Sequence, residues 1–96
     1  MELTPKQKQA LKAKAHHLDA IIWTGDKGLT ENVLIEIDQA LEHHELIKVK
    51  LAADRDDRKL MANVMVDKLN CHLVQQIGRI VVLYRENKDK KNNKKD

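Results

Sequence analysis

Ninety-six residues are enough for one domain and too few for two. An apolar fraction of 42%, with Trp23 and Tyr84 as the aromatics and no Phe, means a core built from Leu, Ile, Val, Ala and Met. A single cysteine, Cys71, excludes an internal disulfide and a cysteine-rich zinc site, and a net charge of +3 favours a polyanionic partner.

Thr4-Pro5 reads as a helix start, with Thr as N-cap and Pro at the first helical position, where its missing N–H costs nothing. Leu11, Ala15 and Leu18 recur at helical spacing as an apolar seam, with Lys8 and Lys12 one turn apart on its flank. Residues 20–24 are short and bulky and predict a buried strand. Gly25-Asp26-Lys27-Gly28 follows as a tight loop, and Thr30 caps a second helix carried by Val33, Leu34, Ile37 and Leu41.

In residues 46–51 the period changes to two: Ile47, Val49 and Leu51 on one face, Lys48 and Lys50 on a wet one. A third helix is expected over 54–70, acidic in its first turn and apolar at Leu60, Met61, Val64, Met65 and Leu69. His72–Ile77 and 80–85 read as strands around Gly78-Arg79, a two-residue loop with Gly first, as a type II′ turn requires. Residues 86–96 are polar and lysine-rich, so a single domain over 1–85 with a disordered tail is expected. The order α-β-α-β-α-β-β predicts an α/β two-layer sandwich, its helices covering one face of a four-stranded mixed sheet.

The opening Met-Glu-Leu-Thr lacks the features of a secretory signal, and the longest apolar run, Ile80–Tyr84, falls far short of the roughly 20 residues of a membrane span. A soluble, cytoplasmic protein without membrane association is expected. Lysine is concentrated at both ends, as Lys6, Lys8, Lys12 and Lys14 near the start and as Lys88, Lys90, Lys91, Lys94 and Lys95 in the tail.

The loop at 25–28 carries the chemistry. Its glycines permit close backbone approach, the helix behind it offers N–H groups and a positive dipole end, and Lys27 can meet a phosphate. A Gly-x-x-Gly loop before a helix also clamps nucleotide backbones in KH domains. The tetrapeptide alone is equally an ordinary strand-to-helix turn, and Asp26 repels anions. It is not a phosphate-binding P-loop, because Leu29 follows Gly28, and a dinucleotide fingerprint would need a third glycine.

His16-His17 and His43-His44 are sequence neighbours whose side chains diverge by about 100° on a helix, so neither pair can hold one metal ion unaided. Cys71 has no positioned partner, since the adjacent His72 faces the other way on a strand. No catalysis, cofactor or small-molecule substrate is expected. Lys6, Lys8, Lys12, Lys27, Lys48, Lys50, Arg79 and Arg85 are the candidate RNA contacts, while Lys59 and Lys68 read as solvated charges. With so few aromatics there is no base-stacking platform, so phosphates and RNA shape should dominate.

Leu3-Thr4-Pro5-Lys6-Gln7-Lys8, Gly25-Asp26-Lys27-Gly28-Leu29-Thr30, the run from Ala40-Leu41-Glu42-His43-His44 through Lys48-Val49-Lys50, and Val74-Gln75-Gln76-Ile77-Gly78-Arg79 leading into Val82-Leu83-Tyr84-Arg85 resemble the CRM domain family in its small stand-alone bacterial form. The resemblance implies a fold similar to the C-terminal domain of translation initiation factor three. It also implies association with ribosomal RNA in precursors of the large ribosomal subunit, and RNA contact by Gly25, Asp26, Lys27 and Gly28. Lys27 stands where the family commonly has Asn, which should strengthen backbone contact. A monomeric ribosome assembly factor is expected; the alternative is an adaptor docking its basic surface on an acidic protein.

Overall fold

Thr4 opens α1 (Pro5–Ala15): its hydroxyl accepts from the Gln7 amide at 3.1 Å, and the Gln7 side chain accepts from the Thr4 amide at 2.9 Å. This reciprocal box satisfies two helix-end donors. The computed structural model describes residues 2–25 and 27–87. The helix stops at Ala15, so Leu18 leaves the seam and is exposed. β1 is only Ile22–Trp23, shorter than the five residues expected, and lies at the sheet edge, parallel to β2 (Leu46–Lys50).

α2 (Glu31–His44) joins β1 to β2 and starts at Thr30, whose hydroxyl accepts from Val33 N at 3.2 Å. α3 (Arg55–Leu69) is capped by Asp54 and ends at Asn70, which takes the left-handed conformation (φ 50°) that Asn tolerates better than most residues. β3 (His72–Ile77) and β4 (Ile80–Tyr84) form the expected hairpin, with positive φ at Gly78 but not at Arg79, as the type II′ reading requires. The sheet order is β1-β2-β4-β3, parallel at β1/β2 and antiparallel elsewhere, so the α/β class, element order and mixed sheet stand as read from the sequence.

The layering is different. Ile37, Leu41, Ala62, Met65 and Leu69 of α2 and α3 pack on Ile22, Ile47, Val49, Val81 and Leu83, while Ala15 of α1 packs on Val74 and Val82 of the opposite face. The helices therefore cover both faces rather than one. β4 carried the signal: Ile80-Val81-Val82-Leu83-Tyr84 is apolar on both sides, and such a strand needs cover on both. A register shift between Leu73 and Gln75 lets Val74 turn in beneath α1. On α3, Leu60 and Val64 are exposed instead of buried, because each lies about 160° round the helix from Ala62.

Candidate nucleic-acid interface

The loop is pinned at its base by Thr24, a buried residue. Its amide donates to Lys50 O at 2.9 Å and its hydroxyl accepts from Ala52 N at 3.1 Å, tying β1 to the segment after β2. Gly28 N then donates to Gly25 O at 3.0 Å, closing the turn. Gly28 has φ +71°, where an L side chain is strained, although an added Cβ would meet nothing nearer than Met61 Cε at 3.9 Å. Backbone conformation, not crowding, selects glycine there. Lys27 is exposed, Gly25 faces open space, and Asp26 lies outside the described residues.

Strand directions decide what surrounds this loop. β1 and β2 end, β3 ends and β4 begins at the same edge of the sheet. The 25–28 loop, the connection 51–54 and the Gly78-Arg79 turn therefore lie together, and Leu51 N donates to Arg79 O at 2.7 Å across two of them. Of the expected contacts, Lys27, Lys50 and Arg79 lie at this edge, Lys50 on the sheet face turned away from α2 and α3. Arg55, Arg58 and Lys59 come to the same edge from the start of α3, on the opposite face from Lys50, lining a depression of about 330 Å³ with Gln76 and Gly78. Arg58 Nη1 donates to Ala53 O at 2.9 Å, which aims the guanidinium across the helix start. None of the three is among the contacts expected from the sequence, where Lys59 reads as a solvated charge. Their i, i+3, i+4 spacing, which puts all three on one helix stripe, was the available signal.

Other expected contacts lie elsewhere. Lys48 is half-buried one row inward, its Nζ donating to Leu18 O at 2.8 Å and so fastening the chain after α1. The start of α1 borders Asn70, His72 and Tyr84 at the far end of the sheet. Lys6 and Lys8 are thus separated from the loop by about 13 Å of strand, with half-buried Lys12 between. Arg85 is turned inward: Nη1 donates to Asp38 Oδ1 at 2.7 Å and Leu69 O at 2.9 Å, and Nη2 to Asp38 O and Glu42 Oε1, each at 3.1 Å. The candidate contacts form two zones, not one patch.

His16-His17 and His43-His44 are edge-on pairs with ring centroids 5.8 and 6.4 Å apart, and among the described residues no three His, Cys, Asp or Glu are placed to hold a metal ion. Cys71 is buried, with Sγ 3.6 Å from Met65 O. Burial pushes its thiol up to about 11, only partly offset by the positive charge of Arg85, so it is protonated at neutral pH. No helix among the described residues is long and apolar enough to cross a membrane. Of the expected tail, Glu86 and Asn87 are described; Asn87 N donates to Glu45 Oε2 at 2.8 Å and its Nδ2 to Glu42 O at 2.6 Å. Residues 88–96, with their lysines, lie outside the described residues.

The chain is 52% identical over 90 residues to an RNA-binding protein of Haemophilus influenzae, covering 93% of this chain and 91% of that protein. It is 42% identical over 90 residues to the Bacillus subtilis protein named "Probable RNA-binding protein YqeI", covering 93% and 94% respectively. The solution structure of the hypothetical protein SAV1595 from Staphylococcus aureus superposes with a TM-score of 0.80 at 42% identity, over 91% of this chain and 92% of that one. The family model for the CRS1/YhbY (CRM) domain matches residues 3–85, which takes in every helix and strand from α1 to β4, and the chain belongs to that family.

Proposed function

We propose that this protein binds structured RNA, without catalysis, by the sheet edge that carries the 25–28 loop. The observation that carries the reading is convergence. A loop with a glycine at positive φ and an exposed Lys27 stands at the same edge as Lys50, Arg79 and the Arg55, Arg58, Lys59 stripe. Such an edge offers close backbone approach and several cations to a phosphate ribbon, which is how RNA backbones are held. The Haemophilus influenzae relative is named an RNA-binding protein, in agreement with this chemistry.

Within this reading the RNA is ribosomal, the setting is a precursor of the large subunit in the cytoplasm, and the protein acts as a monomer. The family resemblance supports the ribosomal assignment. Lys6, Lys8 and Lys12 form a second, weaker contact zone, the domain ends near Asn87, and the lysine tail adds non-specific attraction. Arg85 serves by holding the fold.

The test is a Lys27→Ala, Gly28→Val double variant, checked for folding by circular dichroism. Its affinity for a large-subunit RNA fragment should fall about tenfold or more, because a phosphate contact and the close approach are both removed. A folded double variant with unchanged affinity would exclude the loop from the interface. Crosslinking in cells followed by sequencing should place the sites on large-subunit RNA; sites spread over unrelated transcripts would reject the ribosomal assignment.

A further inference from the structure

Trp23 is 62% exposed, although burying an indole is among the most favourable things a fold can do with a side chain. The cause is positional. Ile22 points into the α2/α3 core, so its neighbour Trp23 points to the other face, and α1 stops at Ala15 before covering that end. Residue pairing then defines a row across the sheet: Trp23 opposite Lys50, Lys50 opposite Ile80, Ile80 opposite Ile77. Lys50 is exposed and Ile77 is 62% exposed. The next row on this face, reached through Lys48, Val82 and Gln75, also lacks a carboxylate.

We propose that this uncovered end of the α1-side sheet face docks an unpaired RNA nucleotide, its base stacked on Trp23 and its phosphate held by Lys50. The proposal rests on the RNA-binding reading above and adds what that reading lacks, a preference for RNA with an unstacked base beside the duplex. Trp23 stands two residues before Gly25, so the stacking surface adjoins the backbone grip. A base inside a duplex has both π-faces occupied, and only an unpaired or terminal base can offer one. One Trp cannot form the two- or three-base platform of an RRM sheet, but it suffices for a single base. A second copy of the chain fits the same face poorly, since a two-fold contact would bury Lys50 of both copies in rows that hold no carboxylate to pair with it.

The experiment uses two RNA hairpins, identical except for one unpaired purine beside the stem, and follows Trp23, the sole tryptophan of the chain, by its own fluorescence. The hairpin with the unpaired base should quench Trp23 and bind about tenfold more tightly than the fully paired one. Trp23→Ala should abolish that preference, and Trp23→Phe should keep much of it. Lys50→Gln should lower the salt dependence of binding by roughly 0.7–0.9 in the log–log slope. Equal affinity for the two hairpins with unchanged Trp23 emission would overturn the stacking site and leave the RNA-binding reading standing. Failure of the wild type to bind either hairpin would overturn both. A dimer that Trp23→Ala dissociates would assign the face to a second copy and reject the nucleotide.

Discussion

Cys71 is the residue whose chemistry the fold changes most. Its thiol is surrounded by apolar side chains, and the loss of solvation opposes the thiolate more than the nearby Arg85 favours it. The proton that an unfolded chain releases near pH 9.0 is retained in the folded protein until about 11. Between those values the unfolded state binds fewer protons, so stability falls as pH rises through that window and is unaffected below it. Urea unfolding of the wild type should therefore lose stability more steeply from pH 9 to 11 than a Cys71→Ala variant does. Parallel curves would mean that the thiol titrates normally. The sequence marked Cys71 as unpaired, but only its burial in the α2/α3 core, with Sγ against Met65 O, makes it inert.

Among the elements, the junction of α2, α3 and β4 depends on one side chain. Arg85 follows β4 directly, and its guanidinium takes Asp38 and Glu42 from one stripe of α2 and a C-terminal carbonyl of α3 at Leu69. That carbonyl has no partner within its own helix, so the arginine acts as a C-terminal cap from outside. Arg85→Met should lower stability by about 1–3 kcal/mol, because charged hydrogen bonds are lost while the carboxylates stay half-solvated. For a domain of this size that is a fall in Tm of about 5–15 °C. Arg85→Lys should restore little, since an ammonium cannot span four acceptors held by a planar fork. A melting temperature unchanged in Arg85→Met would remove the clamp. From the sequence, Arg85 was one more cation near a basic motif, and only the 47-residue separation closed by the fold turns it inward to Asp38.

At the scale of the whole molecule, the exposed candidate contacts among the described residues divide between the loop edge and the start of α1, with the length of the sheet between them. Neutralising Lys50 and Arg79 together should reduce the slope of log affinity against log salt by roughly 1.4–1.8, as expected for two lost phosphate contacts. Neutralising Lys6 and Lys8 together should reduce it less. A salt titration of both double variants on one RNA fragment compares the zones directly. A larger change for the Lys6, Lys8 pair would move the principal interface to α1.

Local chemistry was legible in the sequence. The Thr4 and Thr30 caps, the hairpin with glycine at Gly78, and the strand His72–Ile77 depend on neighbours within a few residues, and each formed where the chain said. Three outcomes needed the tertiary structure: the face on which α1 packs, the exposure of Trp23 and the inward turn of Arg85. α1 precedes the first strand, so no βαβ handedness directs it, and only the two-sided apolar pattern of β4 hinted at its place. Trp23 looked like a core residue because bulky apolar runs read as buried, and its exposure follows from where a different element stops. Spacing along a chain determines which side chains share a stripe or a face; which stripes meet is decided by pairings between strands and helices far apart in sequence.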